Sequence, residues 1–491
     1  MVSADLQEAL ADHLFQWGLR PFLSDREYRR WQREQLRPAE LHQLQLLADM
    51  RHQDPGQSEA DLAFYEYAAQ PTIYPTLYSQ RFDYYLTVGA AMASRIPPAA
   101  TVLDAGCGLG ILTTFYAKQF PDLRIVGIDR SDSSLEVARR QARTMQLRNC
   151  SFQAFDLDRG PIADLYEVVL ASHVLLQSER DPGIPSDSWH SFARCGHPEA
   201  QDAFERRTGV TARLTTLCAA LAPTGRLVLC EKARHLARRI GFQRALARRG
   251  LRLLEKPLPL RYLSVEDMTE DGPLYVLSRG ISEQDAHPWD EHPDTTAEDL
   301  VYTCAGPGAE YLYQRLPART IADRMTFKPP GLASGSIEWG RAGRFGYLYA
   351  SRHNGFRGLQ ISPAMSEGLL DSQLTRRLRT MPAGETAAII EVLQETFGAG
   401  PPTGPPADTP LYENHTAGAQ QVYEGLSGRV VIEQLDRGQA DGKQLHVEHG
   451  DAGDLAYVYC ANTLDQRQIV MVEHARRNIL AGYYRELADG A

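Results

Sequence analysis

The segment VLDAGCGLG, Val102 to Gly110, constrains this chain more than any other stretch. An apolar run ends at Asp104 and enters a loop with glycine at 106, 108 and 110, and helical periodicity follows from near Leu112 to Gln119. Strand, glycine loop and helix in that order let the backbone approach a ligand closely, beside the positive end of the helix. The same logic serves dinucleotides, so the spacing decides. A nicotinamide fingerprint needs Gly-x-Gly-x-x-Gly. Counted from Gly106 and Gly108 the third position is Ile111, and counted from Gly108 and Gly110 it is Thr113. What stands instead is acid-x-Gly-x-Gly-x-Gly, with the acid at Asp104.

Downstream, strand and helix patterns alternate: RIVGID, a helix from Ser134 to Met145, CSFQAFDL, YEVVLAS and RLVLCEK. That order predicts a parallel, doubly wound sheet. Together with the first loop, this stretch resembles the class I S-adenosylmethionine (SAM)-dependent methyltransferase family, whose first motif is an apolar strand, D/E-x-G-x-G-x-G and a helix. The fold class expected is α/β: a doubly wound, Rossmann-like methyltransferase domain over 61–282, an N-terminal helical cap over 1–60, and a C-terminal α+β region of two related repeats over 300–397 and 411–491.

The resemblance implies SAM as cofactor and S-adenosylhomocysteine as product. It places Asp104, Gly106, Cys107, Gly108 and Gly110 at the cofactor. Asp129, 25 residues after Asp104, takes the position that grips the ribose hydroxyls, with Arg130 beside it. A carboxylate at the end of a second strand can accept two hydrogen bonds from a diol. Asp156 and Leu157 fall where the adenine is bonded, and Ser172 falls beside the methionine part. Each acid alone also reads as a helix cap or turn residue; three at successive strand ends favour the cofactor. His173 follows the fourth strand and is the candidate base, since an imidazole titrates in the useful range. His190 and His197, in the insertion after that strand, and Glu231, at the end of the fifth, are candidate acceptor residues. Tyr78 and Arg81 are the members of the aromatic stretch Leu62 to Arg95 expected to reach the cofactor. The other aromatics read as a helix interface.

The 491 residues allow several cores. Leu6, Leu10 and Leu14 recur every four residues in the helical start, which lacks the basic, apolar and cleavage regions of a secretory signal, so a cytoplasmic protein is expected. Seven scattered cysteines without ligand spacing suggest neither a disulfide framework nor a metal site. A formal charge of -10 argues against nucleic acid, and no apolar run suits a membrane. Ten Lys or Arg between Lys232 and Arg261 face the single acid Glu255. Two linkers, Glu283 to Leu300 and Gly398 to Pro410, set off the tail. There IEWGRAGRFGYLYASRHNGFRGLQI from Ile337 matches VEHGDAGDLAYVYCANTLDQRQIVM from Val447 without a gap, at an offset of 110. Each copy is expected to hold a short helix, about four antiparallel strands and a closing helix, the two copies to pair with each other in pseudo-twofold fashion, and the region to serve recognition or homodimerisation.

The N/D-PP-Y/F motif of many enzymes that methylate exocyclic or amide nitrogens is missing; ASHVL, Ala171 to Leu175, stands in its place. A paired-glutamate loop for a guanidinium is not visible after the fourth strand. The acceptor expected is therefore a small molecule, a natural-product intermediate or a peptide. A non-catalytic SAM-binding scaffold, or a SAM-using cyclase or other group transferase, is the competing class.

Overall fold

The computed structural model describes residues 4–53, 58–98, 100–176, 181–194, 196, 198–293, 295–363, 369, 373–380, 386–398, 408–438 and 443–489. The chain forms two compact units. One comprises Met1–Ile184 and Gly196–Glu291; the other comprises Pro185–Cys195 and His292–Ala491.

The first unit is built on strands β1 (Thr101–Ala105), β2 (Arg124–Asp129), β3 (Cys150–Ala154), β4 (Tyr166–Ser172) and β5 (Leu221–Cys230). They lie in the order β3-β2-β1-β4-β5, all parallel. Strand Pro273–Ser278 then runs antiparallel to β5, and Arg252–Leu253 pairs with it in turn. Neighbouring residues of a strand point to opposite faces, and the sequence uses both. Val102, Ile125, Val168, Leu170 and Val228 enter one core; Leu103, Ile128, Val169, Ala171 and Leu229 enter the other. Helices Pro198–Thr208, Val210–Ala220 and Leu236–Ala247 cover the second face with Phe204, Leu214 and Phe242.

The first face is covered largely by the N-terminal helices α1 (Ala4–Gln16), α2 (Asp25–Gln35), α3 (Pro38–Gln53) and α4 (Ser58–Ala68), and by the segments after them. Leu10, Leu14, Trp17 and Leu19 share a core with Val102 and Ile125, so α1 packs as part of this unit. The aromatic stretch is broken into more pieces than a helix pair: Tyr74–Ser79, Phe82–Tyr84, a π turn Tyr85–Gly89 and Ala90–Ala93. The π turn lies where the chain passes close to the helix Ile111–Gln119; a Cβ on Gly89 would come within 2.6 Å of Leu112. The basic run 232–261 is tied into this unit. Arg244 pairs with Glu291, Arg248 with Asp202, Arg249 with Glu205 and Arg261 with Glu270, while Arg238 and Arg239 are buried.

In the second unit two five-stranded antiparallel sheets have one topology. The first runs Tyr302–Ala305, Arg357–Pro363, Phe345–Arg352, Gly335–Ala342, Arg319–Phe327 across the sheet. The second runs Tyr412–Asn414, Arg467–Glu473, Leu455–Asn462, Gln444–Ala452, Arg429–Gly438. Each has five strands where about four were expected, because a short strand ahead of the helix pairs with the last strand. A register shift falls at Ile321/Asp323 in one and at Val431/Glu433 in the other, again 110 residues apart. Helices Gln373–Thr380 and Thr386–Phe397 follow the first sheet, and Leu480–Asp489 follows the second. Much of the second expected linker lies outside the described residues. Among the described residues no helix is long and apolar enough to cross a membrane.

His13 ties α1 to the helix Ile111–Gln119 that opens at the glycine loop. Its Nε2 stands 2.9 Å from the Ile111 carbonyl oxygen, and Trp17 Nε1 stands 3.0 Å away. Burial, aided by Lys118 and opposed by the Ile111 carbonyl, pushes its pKa down to about 4. The folded state therefore holds a neutral imidazole that the unfolded chain protonates below about 6.5. The stability this represents is full above that pH and is lost as pH falls through about 4, up to roughly 3 kcal/mol. Urea unfolding followed from pH 7.5 to 4 is expected to show that acid-side loss, and a His13→Asn variant is expected to show a smaller one.

Candidate functional site

At the C-terminal ends of the parallel strands lies a cavity of about 300 Å³. Its floor is the first loop. Gly106, Gly108 and Gly110 all have positive φ, at 69°, 52° and 76°. At Gly110 the helix begins, and a Cβ there would meet Ala138 at 2.8 Å and Phe152 at 2.9 Å. At Gly108 a Cβ would meet nothing within 4 Å, so this bend of the backbone faces open space. The loop is held to β2. Gly106 and Cys107 donate their N–H groups to Ile128 O, and Gly108 donates to Asp129 Oδ2 at 2.9 Å.

The three acids line this cavity. Asp104 accepts from Thr113 Oγ1 at 2.5 Å; burial, opposed by that bond and reinforced by Asp129, pushes its pKa up to about 6. Asp129 also accepts from Ser131 N at 2.9 Å; burial raises its pKa against the two backbone N–H groups. Asp156 lies in the turn two residues beyond the end of β3, accepting from Asp158 N and pairing with Arg159 at 3.2 Å. Cys107, Leu157 and Ser172 line the same space. Arg130 does too, and pairs with Asp61 at 3.4 Å.

One wall comes from the aromatic stretch: Tyr78, Arg81, Tyr84 and Tyr85. Arg81 Nη2 donates to His173 Nδ1 at 2.9 Å, with its guanidinium 4.1 Å from the Tyr84 ring centroid. On the other side of the imidazole, Nε2 stands 2.9 Å from Asp271 Oδ2, poorly aligned with the ring N–H. Burial, joined by Arg81 and opposed by Asp271, pushes His173 down to about 4, so it is neutral at pH 7. Burial works against ionisation of Asp271, but the nearby His173 imidazole and the hydrogen bond from the Tyr262 hydroxyl hold its carboxyl well below the usual range. His173 has φ 56°, a conformation that few non-glycine residues adopt and that aims its ring into the wall. Tyr84 and Ser172 share a hydrogen bond between their hydroxyls.

Glu231 also lines the cavity, but its carboxylate serves the backbone. It accepts from Val174 N at 2.7 Å, Leu175 N at 2.8 Å and Leu176 N at 3.5 Å, fixing the turn after β4. Burial pushes its pKa up to about 7 against those three donors. His190 is in the second unit: it is exposed, stacks on Trp189 at 3.4 Å and does not line the cavity. The insertion that carries it leaves the first unit at Ile184, because Ser186 bonds the Thr463 carbonyl. His197 lies outside the described residues.

Sequence reasoning missed Arg51, Asp61 and Tyr65, which reach the cavity from α3 and α4, and Arg213 and Lys232. Arg51 and Arg130 both pair with Asp61. Nothing in helical periodicity marks such residues, since they meet the loop only when the N-terminal helices fold onto the sheet. Asp271 and Tyr262, behind His173, likewise stand in no motif.

Residues 96–248, which span the glycine loop, β1 to β5 and most of the cavity lining, match the family described as "Methyltransferase domain". This region is a class I SAM-dependent methyltransferase domain. The domain is 26% identical over 99 residues to a release factor glutamine methyltransferase of Aliivibrio fischeri, covering 20% of this chain and 35% of that protein. It is 30% identical over 89 residues to a trans-aconitate 2-methyltransferase of Methylobacterium radiotolerans, covering 18% and 34%. The chain thus spans about a third of the length of these curated relatives. Among solved structures, mitomycin 7-O-methyltransferase is similar at 19% identity over 49% of this chain and 67% of its own, with a TM-score of 0.31.

Because Glu231 is 1% exposed, removing its carboxylate from the methyltransferase domain leaves three backbone N–H groups without their acceptor. Glu231→Leu is expected to cost about 3 kcal/mol in urea denaturation, whereas Glu231→Gln, which keeps one acceptor oxygen, costs roughly 1 kcal/mol.

Proposed function

We propose that this protein is a SAM-dependent methyltransferase acting on a small-molecule, natural-product or peptide acceptor. The observation that carries the reading is the convergence of Asp104, Asp129, Asp156 and the three-glycine loop on one cavity whose other wall is aromatic and basic. The residues fit the cofactor. Gly108 leaves room for a ligand against the backbone. Each oxygen of Asp129 accepts one backbone N–H and keeps a second lone pair for a ribose diol. Asp156 and Leu157 suit the adenine, and Arg81 and Tyr78 suit the methionine carboxylate and its stem, with Ser172 alongside.

When bound, SAM supplies an activated methyl whose leaving group departs as a neutral thioether. The chain itself has to align the acceptor with that methyl and take up a proton where the acceptor carries one. We assign the second task to His173. It is neutral at pH 7, and its Nδ1 lone pair is held by Arg81. A carboxylate drawn to Arg81 frees that lone pair to accept the acceptor's proton, while Asp271 steadies the imidazolium from the other side. The two C-terminal sheets, which we read as copies of one unit, serve recognition or association.

Calorimetric titration of SAM and S-adenosylhomocysteine into the protein and into Asp129→Ala tests the assignment. The parent is expected to bind both, and the variant to lose about tenfold in affinity, roughly 1.4 kcal/mol. Acceptor-dependent release of S-adenosylhomocysteine then reports methyl transfer. A parent that binds neither ligand overturns the proposal, and binding without release under any acceptor favours a SAM-binding scaffold.

A further inference from the structure

We propose that the first C-terminal sheet carries a docking strip for an extended peptide, equivalent to the strip on the second sheet that this chain's own residues 185–194 already fill.

On the second sheet the seated segment is held along its length. Ser186 donates its N–H and its hydroxyl to the Thr463 carbonyl, at 2.7 and 3.2 Å. Trp189 stacks on His446 with centroids 3.6 Å apart and planes at 6°. Gln420 Nε2 donates to the His190 carbonyl at 2.5 Å, and Arg467 Nη2 donates to the Ser191 carbonyl at 3.3 Å. The Arg467 guanidinium also lies 4.4 Å from the Phe192 ring centroid. Arg194 pairs with Asp465. Beneath this segment Arg467 is 1% exposed and Gln420 is 9% exposed.

The first sheet repeats the apparatus 110 residues earlier. Arg357 Nε donates to Glu310 at 2.5 Å and its Nη1 to the carbonyls of Arg352 and Phe356, as Arg467 does to Gln420, Asn462 and Gln466. Tyr313 stacks on Tyr349 at 3.7 Å, as Tyr423 does on Tyr459 at 3.9 Å, each pair with planes at 7°. Glu338 accepts from Tyr313 and Tyr347, as Glu448 accepts from Tyr423 and Tyr457. The difference is the cover. Arg357 and Glu310 keep 31% and 35% of their side chains exposed. Among the described residues no hydrogen bond reaches Arg357 Nη2, the counterpart of the nitrogen that takes the Ser191 carbonyl.

The residues that differ define the occupant. Arg357 still offers a guanidinium face to an aromatic ring and an N–H to a backbone carbonyl. Ser336 stands in place of His446, so the flat platform under Trp189 is gone and two hydroxyls, Ser336 and Ser351, 3.2 Å apart, take its place. Glu310 in place of Gln420 turns a donor into a carboxylate. The strip therefore suits a partner peptide with a polar or basic residue three positions before an aromatic one.

The test uses the full chain and a labelled peptide copying Asp187 to Arg194, DSWHSFAR, followed by fluorescence anisotropy. A peptide with Trp189→Lys is expected to bind at least fivefold tighter than the copy, and one with Phe192→Ala to lose binding. Arg357→Ala in the protein should weaken the Lys peptide tenfold or more. Ser336→Arg, which crowds the strip one strand further from the Arg357–Glu310 pair, should do the same with an unchanged melting temperature. Failure of the Lys peptide to bind overturns the proposal, as does binding that survives both protein variants. Loss of binding in Arg467→Ala but not in Arg357→Ala also overturns it, because the peptide would then be displacing the chain's own segment. So does a dimer of the peptide-free protein that Arg357→Ala dissolves, since the occupant would then be a second copy.

Discussion

The bond from Gly108 N–H to the Asp129 carboxylate is the interaction on which the methyltransferase domain depends. It ties the first loop to the end of β2, and with the Ile128 carbonyl receiving Gly106 and Cys107 it holds three left-handed glycines in one shape. A loop with that much conformational freedom would otherwise cost entropy each time a ligand was met. The same carboxylate also receives Ser131 N, beside the start of the next helix, so the loop, the strand end and the helix are set together.

Around that fixed floor the rest of the cavity is assembled from distant parts of the chain. The N-terminal helices close one face of the sheet and bring Arg51, Asp61 and Tyr65 to it. Glu231 fixes the turn after β4 through three backbone N–H groups, and this turn presents His173 in a left-handed conformation between Arg81 and Asp271. Two of these acids are buried at an energetic cost that shows in their raised pKa values, Asp104 at about 6 and Glu231 at about 7. Burial of that kind is retained where backbone donors or hydroxyls meet the carboxylate.

The sequence was informative where function is local. Glycine spacing and the acids at Asp104 and Asp129 lie within a few residues of the strands that carry them, and the near-continuous apolar runs of β1, β4 and β5 suit a sheet covered on both faces. The offset of 110 in the tail was legible because pairing in each sheet is set by side-chain alternation, so the same spacing yields the same register. The sequence was less informative where contacts are long-range. Asp156 belongs to the turn after β3, not to the strand; Glu231 faces backbone; and His190 belongs to the other unit, because the insertion's tryptophan found a stacking partner there.

By itself the sequence determined the parallel sheet and the acid-and-glycine loop, since each follows from residue types a fixed short distance apart. Only the tertiary structure decided which charges meet. It joined Arg81 to His173 across 92 residues, Arg213 to Asp158 across 55, and Arg244, Arg248 and Arg249 of the basic run to acids elsewhere in the chain. Those pairings depend on how helices pack onto the sheet, and no spacing along the chain encodes them.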